Sequence, residues 1–311
     1  MHGLLPALAL AVLLALLAAP AVADAAANAS AHAPGPAVVQ VGVYAVDFNR
    51  FSVADGTYEA NFYLNLRRSD APVSIGDIEI MNGHAGSVET VLDTPNEKNY
   101  RITATMTADP DLRHYPFDNH TLPIEIEPKL LTEDKLLLAI DRENTGLDTD
   151  ADLPGWEFTG HDAAITNKSY VAGEVPYSRA VFNYGIRRDS ASTILKFFLP
   201  IMLIIIVSLS SLMMKVSSRL GLNASMFLAA VLIHWRIADA IPIVAYATFL
   251  DYFMIITYAT LVMVLVSGIL ILKFTEAKDP ARVELVNRWS IRIIPPLSIL
   301  LYALLFLTLI R

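Results

Sequence analysis

The 311-residue chain contains no cysteine. That excludes disulfide staples, thiolate metal sites and a thiol nucleophile. Tryptophan is scarce, with three in all and only Trp156 in the first half, which leaves little for an aromatic cage around an organic cation. No HExxH, GxSxG, P-loop or dinucleotide fingerprint occurs, and the histidines stand singly, so an enzyme is not expected and no cofactor or metal is called for. Charged residues make up only 17% of the chain and the net charge is −8; a nucleic-acid partner is not expected.

What is present divides in two. Hydrophobic residues make up 54%, too many for an ordinary soluble protein. From Asp24 to Ser190 there are 26 acidic and 13 basic residues, and from Ala191 onward 5 and 10. An acidic, soluble-looking half thus precedes an apolar half with basic links. The first residues read as a secretory signal over 1–23, with an apolar run ending in Ala21-Val22-Ala23. The region before that run has no Lys or Arg, so an uncleaved anchor helix is the competing reading. A disordered leader is expected over 24–37.

From 38 to 190 the pattern has period two. In TYEANFYLNLR, residues Tyr58, Ala60, Phe62, Leu64 and Leu66 share one face and Glu59, Asn61, Tyr63, Asn65 and Arg67 the other, as in a half-buried antiparallel strand. Similar short runs separated by turn residues predict a β-sandwich or barrel. From 191 to 311 four apolar stretches follow, near 193–214, 217–240, 243–272 and 290–310, each long enough to cross about 30 Å of hydrocarbon. Lys215 and Arg219 fall between the first two, and Lys273, Lys278, Arg282 and Arg288 between the last two. The positive-inside rule puts those links in the cytoplasm and the β domain outside. The expected fold class is a β-sandwich extracellular domain followed by an α-helical four-span transmembrane domain, in the cell membrane.

The second stretch is unlike the others. Gly221, Ser225, Leu228, Leu232, Trp235 and Asp239 are spaced 4, 3, 4, 3 and 4 apart, the seam of a left-handed helix bundle. A packing stripe inside one bundle would show the same spacing. The seam is graded, however: small and polar at the cytoplasmic end, leucine in the middle, Trp and a carboxylate outside. That grading favours a pore with Leu228 and Leu232 as a hydrophobic gate that closes by dewetting, and an outer carboxylate that attracts cations. Arg236 lies near the Trp235 edge of the seam. His234 and Asn223 share the opposite side, where hydrogen bonds to neighbouring helices are expected; proton sensing by His234 is the alternative.

The segment HYPFDNHTLPIEIEP resembles the signature loop of the pentameric ligand-gated ion channels, in the prokaryotic branch whose loop lacks the cysteine pair. Tyr115, Pro116, Phe117 and Asp118 carry the motif. Arg188 stands twelve residues before Pro200, Arg219 opens the second span, and Pro242 follows it, each where the family has such a residue. The resemblance implies a homopentamer in the lipid bilayer, a pore lined by the second span with Ser218 and Arg219 at its inner mouth, permeant inorganic ions, and a small extracellular ligand of unknown identity or protons as the signal. It also implies a coupling zone where Asp55, Tyr115, Pro116, Phe117, Asp118, Arg188 and Pro242 meet; an interfacial anchor is the plainer reading of Arg187-Arg188. A ligand site would draw on Glu79, Tyr170, Glu174 and Tyr177, although ordinary strand aromatics account equally well for those tyrosines. Ser218 stands where cation channels of the family carry Glu, so cation conduction rests on Asp239 and the acidic ectodomain. A receptor on the same scaffold that does not conduct is the alternative function.

Overall fold

The computed structural model describes residues 35–68, 77–239 and 241–309; the expected signal at 1–23 and most of the leader lie outside them. Ten strands come first: β1 (Ala37–Ser52), β2 (Thr57–Arg67), β3 (Ile78–Ile80), β4 (Gly83–Asp93), β5 (Glu97–Thr107), β6 (Asn119–Pro128), β7 (Leu136–Ile140), β8 (Gly146–Leu147), β9 (Trp156–Lys168) and β10 (Tyr177–Arg188). They form two sheets. One has the order β4-β5-β2-β1-β7, with β8 also on β1, and the other β3-β6-β10-β9. The sheets face each other through the alternating residues of each strand. Tyr58, Ala60, Phe62, Leu64 and Leu66 are all buried in this core, opposite Leu122, Ile124 and Ile126 of β6 and Phe182, Tyr184 and Ile186 of β10. The period-two reading of β2 holds, with one addition: Asn65 is also buried, and its amide donates to Glu97 Oε1 at 3.1 Å.

Four helices able to cross a membrane follow: α1 (Ile194–Met213), α2 (Val216–Ala238), α3 (Phe249–Glu276) and α4 (Pro280–Leu307). Two start elsewhere than hydropathy suggests. The third span was expected from 243, but 241–248 is a non-helical link, and α3 starts where Thr248 and Asp251 form a capping box. The fourth was expected from 290. Asp279 accepts from Arg282 N and Pro280 occupies the first turn, so the helix begins ten residues earlier and carries its charged turns below the apolar band.

α3 is the most buried of the four and packs against both α2 and α4. Apolar burial gives little drive for helix association in lipid, so close approach and polar bonds matter more. Thr260 and Ser298 hydroxyls meet at 3.0 Å, as do those of Thr257 and Tyr302 at 2.8 Å. A side chain at Gly268 would run into Leu220 of α2.

Candidate functional site

α2 has two opposed faces. Gly221, Ser225, Leu228, Leu232, Trp235 and Asp239 are all exposed in the single chain, with Leu228, Leu232 and Trp235 at 59%, 55% and 66%. The buried residues are Arg219, Asn223, Ala230 and Ile237, at spacings of 4, 7 and 7. Polar bonds set which face turns inward. Asn223 Nδ2 donates to Ser211 Oγ at 2.6 Å and Arg219 O at 2.8 Å, while Ser208 Oγ donates to Asn223 Oδ1. His234 Nδ1 lies 2.9 Å from the Tyr258 hydroxyl of α3. With one side of α2 tied to α1 and α3, the heptad-spaced stripe is left exposed among the described residues.

Arg219 departs from the expectation of an inner-mouth residue. Its side chain is 2% exposed and turned into the bundle, where Nε donates to Ser211 O at 3.2 Å and Nη2 to Leu212 O and Asn287 Oδ1. The reason is angular: two residues before Gly221 is about 200° round the helix, the far side from the seam. Ser218 alone of that pair stays exposed. At the outer end, Arg236 and Asp239 line a cavity of about 630 Å³ against Lys196 and Phe197 of α1, so Asp239 shares its surroundings with two cations.

The second constellation joins the sandwich to the helices. Arg188, the last residue of β10, donates from Nε to Asp118 Oδ1 at 2.7 Å and from Nη2 to Asp118 Oδ2 at 2.8 Å. Its guanidinium also lies 4.2 Å from the Trp156 ring centre and 5.0 Å from that of Tyr115. Paired β6 and β10 hold the two residues together, since Arg187 is in register with Asn119. Asp118 is 1% exposed and is also bonded by His120 Nε2. Burial pushes its carboxyl up, but the hydrogen bonds and charges of Arg188 and His120 outweigh that and hold it at about 2.

The sign of that shift sets a pH window. A carboxyl held below its ordinary value of 3.8 contributes stability that is complete above that value and is lost as pH falls toward 2, about 2 kcal/mol in all. Acidification to pH 4.5 should therefore leave the Asp118–Arg188 pair ionised. Carbon-detected NMR of the Asp118 carboxyl should show no titration between pH 7 and 4.5; a midpoint above 4 would refute the assignment.

Beside this pair, the loop around the cis Tyr115–Pro116 bond meets the membrane helices. Phe117 stacks on Phe198 at 5.5 Å and meets Phe249 edge-on at 5.6 Å. Leu112 N donates to the Tyr246 hydroxyl at 2.9 Å, Phe249 N to Arg113 O at 2.8 Å, and Arg113 sits over the Tyr246 ring. Of the expected coupling residues, Tyr115, Phe117, Asp118 and Arg188 come together. Asp55 is instead engaged by Ser52 Oγ in its own turn, where Val53 makes the apolar contact. From the 241–248 link it is Ile241, Val244 and Tyr246 that pack at the junction, while Pro242 is half-buried and outside that cluster. Sequence reasoning missed Leu112, Arg113 and His120, and singled out neither Tyr246 nor Trp156 for this junction. A pair such as Arg113–Tyr246 has no spacing signature.

The four expected ligand residues do not form one site. Tyr170 and Tyr177 meet edge to face at 5.8 Å. Arg179 holds the nearby acceptors: it donates to Glu127 Oε2 at 2.8 Å, Glu125 Oε2 at 2.6 Å and the Tyr170 hydroxyl at 2.8 Å. Tyr170 in turn donates to Glu127 Oε1 at 3.0 Å. Glu174 is exposed in the hairpin turn. Glu79 lines a separate cavity of about 390 Å³ with His84 and Lys129. The cation-binding groups beneath the β9–β10 hairpin are thus satisfied from within the chain.

No protein-family model matches the chain. It is 23% identical over 201 residues to a proton-gated ion channel of Gloeobacter violaceus, covering 57% of this chain and 56% of that one. It is 24% identical over 162 residues to gamma-aminobutyric acid receptor subunit rho-2 of Homo sapiens and 26% over 160 residues to subunit beta-4 of Gallus gallus. Those matches cover about half of this chain and 35% and 32% of the receptor subunits. The chain therefore spans between about a third and just over half of the curated relatives it matches.

Proposed function

Because this chain belongs to the pentameric ligand-gated ion channel superfamily, a family of channels and not of enzymes, we propose that it assembles as a homopentamer and conducts ions through a pore lined by α2. The single observation that carries this reading is the opposition of faces on α2. Its heptad-spaced stripe is exposed from end to end, while its other side is bonded to α1 and α3. Five such stripes around an axis would bury one another and leave Leu228 and Leu232 as apolar constrictions that close by dewetting. The gating signal acts on the sandwich and reaches α2 through the Asp118–Arg188 pair and the aromatic contacts of Phe117 with Phe198 and Phe249.

Cation conduction is the finer proposal. The acidic ectodomain and Asp239 would concentrate cations at the outer mouth, against the nearby charges of Arg236 and Lys196. Protons are the first stimulus to try, given the proton-gated relative. Because the groups beneath the β9–β10 hairpin already hold Arg179, a small organic amine is the weaker candidate. Recording from purified protein in planar bilayers under asymmetric salt tests both points: a reversal potential near the cation equilibrium value supports the proposal, and one near the anion value overturns its cation part. Asp239→Asn should lower single-channel conductance by about two-fold at low ionic strength, where the Debye length is about 30 Å. An unchanged conductance removes Asp239 from the permeation path.

A further inference from the structure

The proposed gating route runs through Asp118 and Arg188 and leaves their third partner, His120, without a role. Strand alternation puts it there: His120, Leu122, Ile124 and Ile126 of β6 face the core, while Asn119 and Thr121 face out. In register with Ile186 of β10, the imidazole is 8% exposed. It lies against two rings, Phe51 of β1 at 5.6 Å and Trp156 of β9 at 5.3 Å. Its polar contact is Asp118 Oδ2, the oxygen that also accepts from Arg188 Nη2 at 2.8 Å. A carboxylate only accepts, so Nε2 carries the hydrogen of that bond. Nδ1 has no hydrogen-bond partner among the described residues. A proton added at Nδ1 therefore breaks no bond and turns the ring into a cation.

The groups around His120 keep their charge over the range in which histidines change theirs, about pH 5 to 8. Asp118 is held at about 2, and a guanidinium is not deprotonated in proteins. Tyr115, which meets Arg188 from the 110–118 loop, has its hydroxyl pushed up by burial. β1 and β9 present Phe51 and Trp156, and the charged residues near them are engaged elsewhere. Asp55 is bonded by Ser52, and Arg187 pairs with Glu157 on the exposed face.

Proton uptake by His120 thus changes the cluster from one anion matched by one cation to one anion shared by two. Both cations donate to the same oxygen, so a charged imidazole competes with Arg188 Nη2 and repels the guanidinium. The second bond, from Arg188 Nε to Asp118 Oδ1 at 2.7 Å, is not contested. Arg188 ends β10, and α1 begins close behind it at Ile194, so a weaker hold on Arg188 is felt first at the head of α1.

We propose that His120 is a positioning residue of the Asp118–Arg188 pair and the proton acceptor through which pH acts on the junction. Neutral, it steadies the carboxylate that holds Arg188 by two bonds. Charged, it loosens one of them. The consequence for gating rests on the channel reading; the titration of His120 does not.

Two measurements on the purified full chain separate these. The first is spectroscopic. Of the three tryptophans, Trp235 and Trp289 are 66% and 56% exposed in the single chain. Replacing both with Phe leaves Trp156 as the only indole, 5.3 Å from His120, and a charged imidazole beside an indole quenches its emission. Trp156 fluorescence should fall as pH is lowered from about 8 to 5. It should stay level after His120→Gln, which keeps an N–H for Asp118 but does not titrate. The second measurement is planar-bilayer recording without the tryptophan changes, where His120→Gln should need at least about tenfold more protons than wild type for half-maximal current. His120→Ala removes the bond as well as the proton, so its Tm should fall below that of His120→Gln; equal values refute the positioning role. The proposal is also overturned if Trp156 emission is flat with His120 present, if it is equally pH-dependent in H120Q, or if wild type and H120Q respond to protons alike. A wild type that never conducts sinks the channel reading, and Trp156 emission then decides the titration of His120 by itself.

Discussion

Replacing Arg188 with alanine is expected to destabilise the protein by about 3–5 kcal/mol, the usual cost of stripping one partner from a buried ion pair. The cost is high because of what remains. Asp118 is 1% exposed, and without Arg188 its carboxylate keeps only His120 as a partner among the described residues. The variant also loses the guanidinium stacked on Trp156 and Tyr115, which leaves those rings packing against a void. Arg188→Lys should recover only part of this, since an ammonium cannot make both parallel bonds to Asp118 or stack flat on Trp156. Adding Asp118→Asn to Arg188→Ala should restore stability relative to Arg188→Ala alone, because it removes the orphaned charge. These comparisons need a shift in unfolding midpoint, read with the fraction of oligomer on size exclusion. A cost below about 1 kcal/mol for Arg188→Ala would mean that the pair is a surface contact in effect, and the coupling role would go with it.

The other large effect is expected at Leu228. Exchanging it for serine places a hydroxyl on the exposed stripe of α2, one turn from Leu232, and in a five-fold ring it would hydrate the narrowest apolar segment. Current should then appear at a stimulus at least about tenfold weaker, the equivalent of about 1.4 kcal/mol in the opening equilibrium, or without any stimulus. Leu300→Ser is the matched control: Leu300 is 55% exposed on α4, close to Leu228 in exposure but away from the seam. Equal responses from the two variants would show that the exposure of Leu228 reflects a lipid-facing position, and the pore assignment would fail. If neither wild type nor Leu228→Ser ever conducts, the scaffold serves a receptor that does not form a channel.

Much of the architecture was legible in local patterns, for a physical reason. Side-chain period two in TYEANFYLNLR maps directly onto burial, because successive residues of a strand point to opposite faces. Spans of α1 and α2 follow within a few residues from hydrocarbon thickness. The misplaced starts of α3 and α4 came from using hydropathy where capping decides. Isoleucine, valine and alanine in 241–248 read as membrane, yet Thr248 with Asp251 and Asp279 with Pro280 were already in the sequence as start signals. Arg219 was misassigned for a similar reason, since its angle to Gly221 could have been computed from the helix repeat.

What local patterns could not supply is partner choice across distance. Asp118 and Arg188 are 70 residues apart, Glu127 and Arg179 are 52, and Arg219 and Asn287 are 68. A single sequence holds many acids and many arginines, and no spacing rule says which of them the sheet register or helix packing will bring within 3 Å. Composition and periodicity alone determined an acidic β domain, four spans and a graded stripe on the second. Only the tertiary structure decided that Arg179 bonds beneath its own hairpin and that Arg219 turns away from the stripe into the bundle. Strand and helix repeats are properties of neighbouring residues, whereas those pairings depend on where distant backbones come to rest.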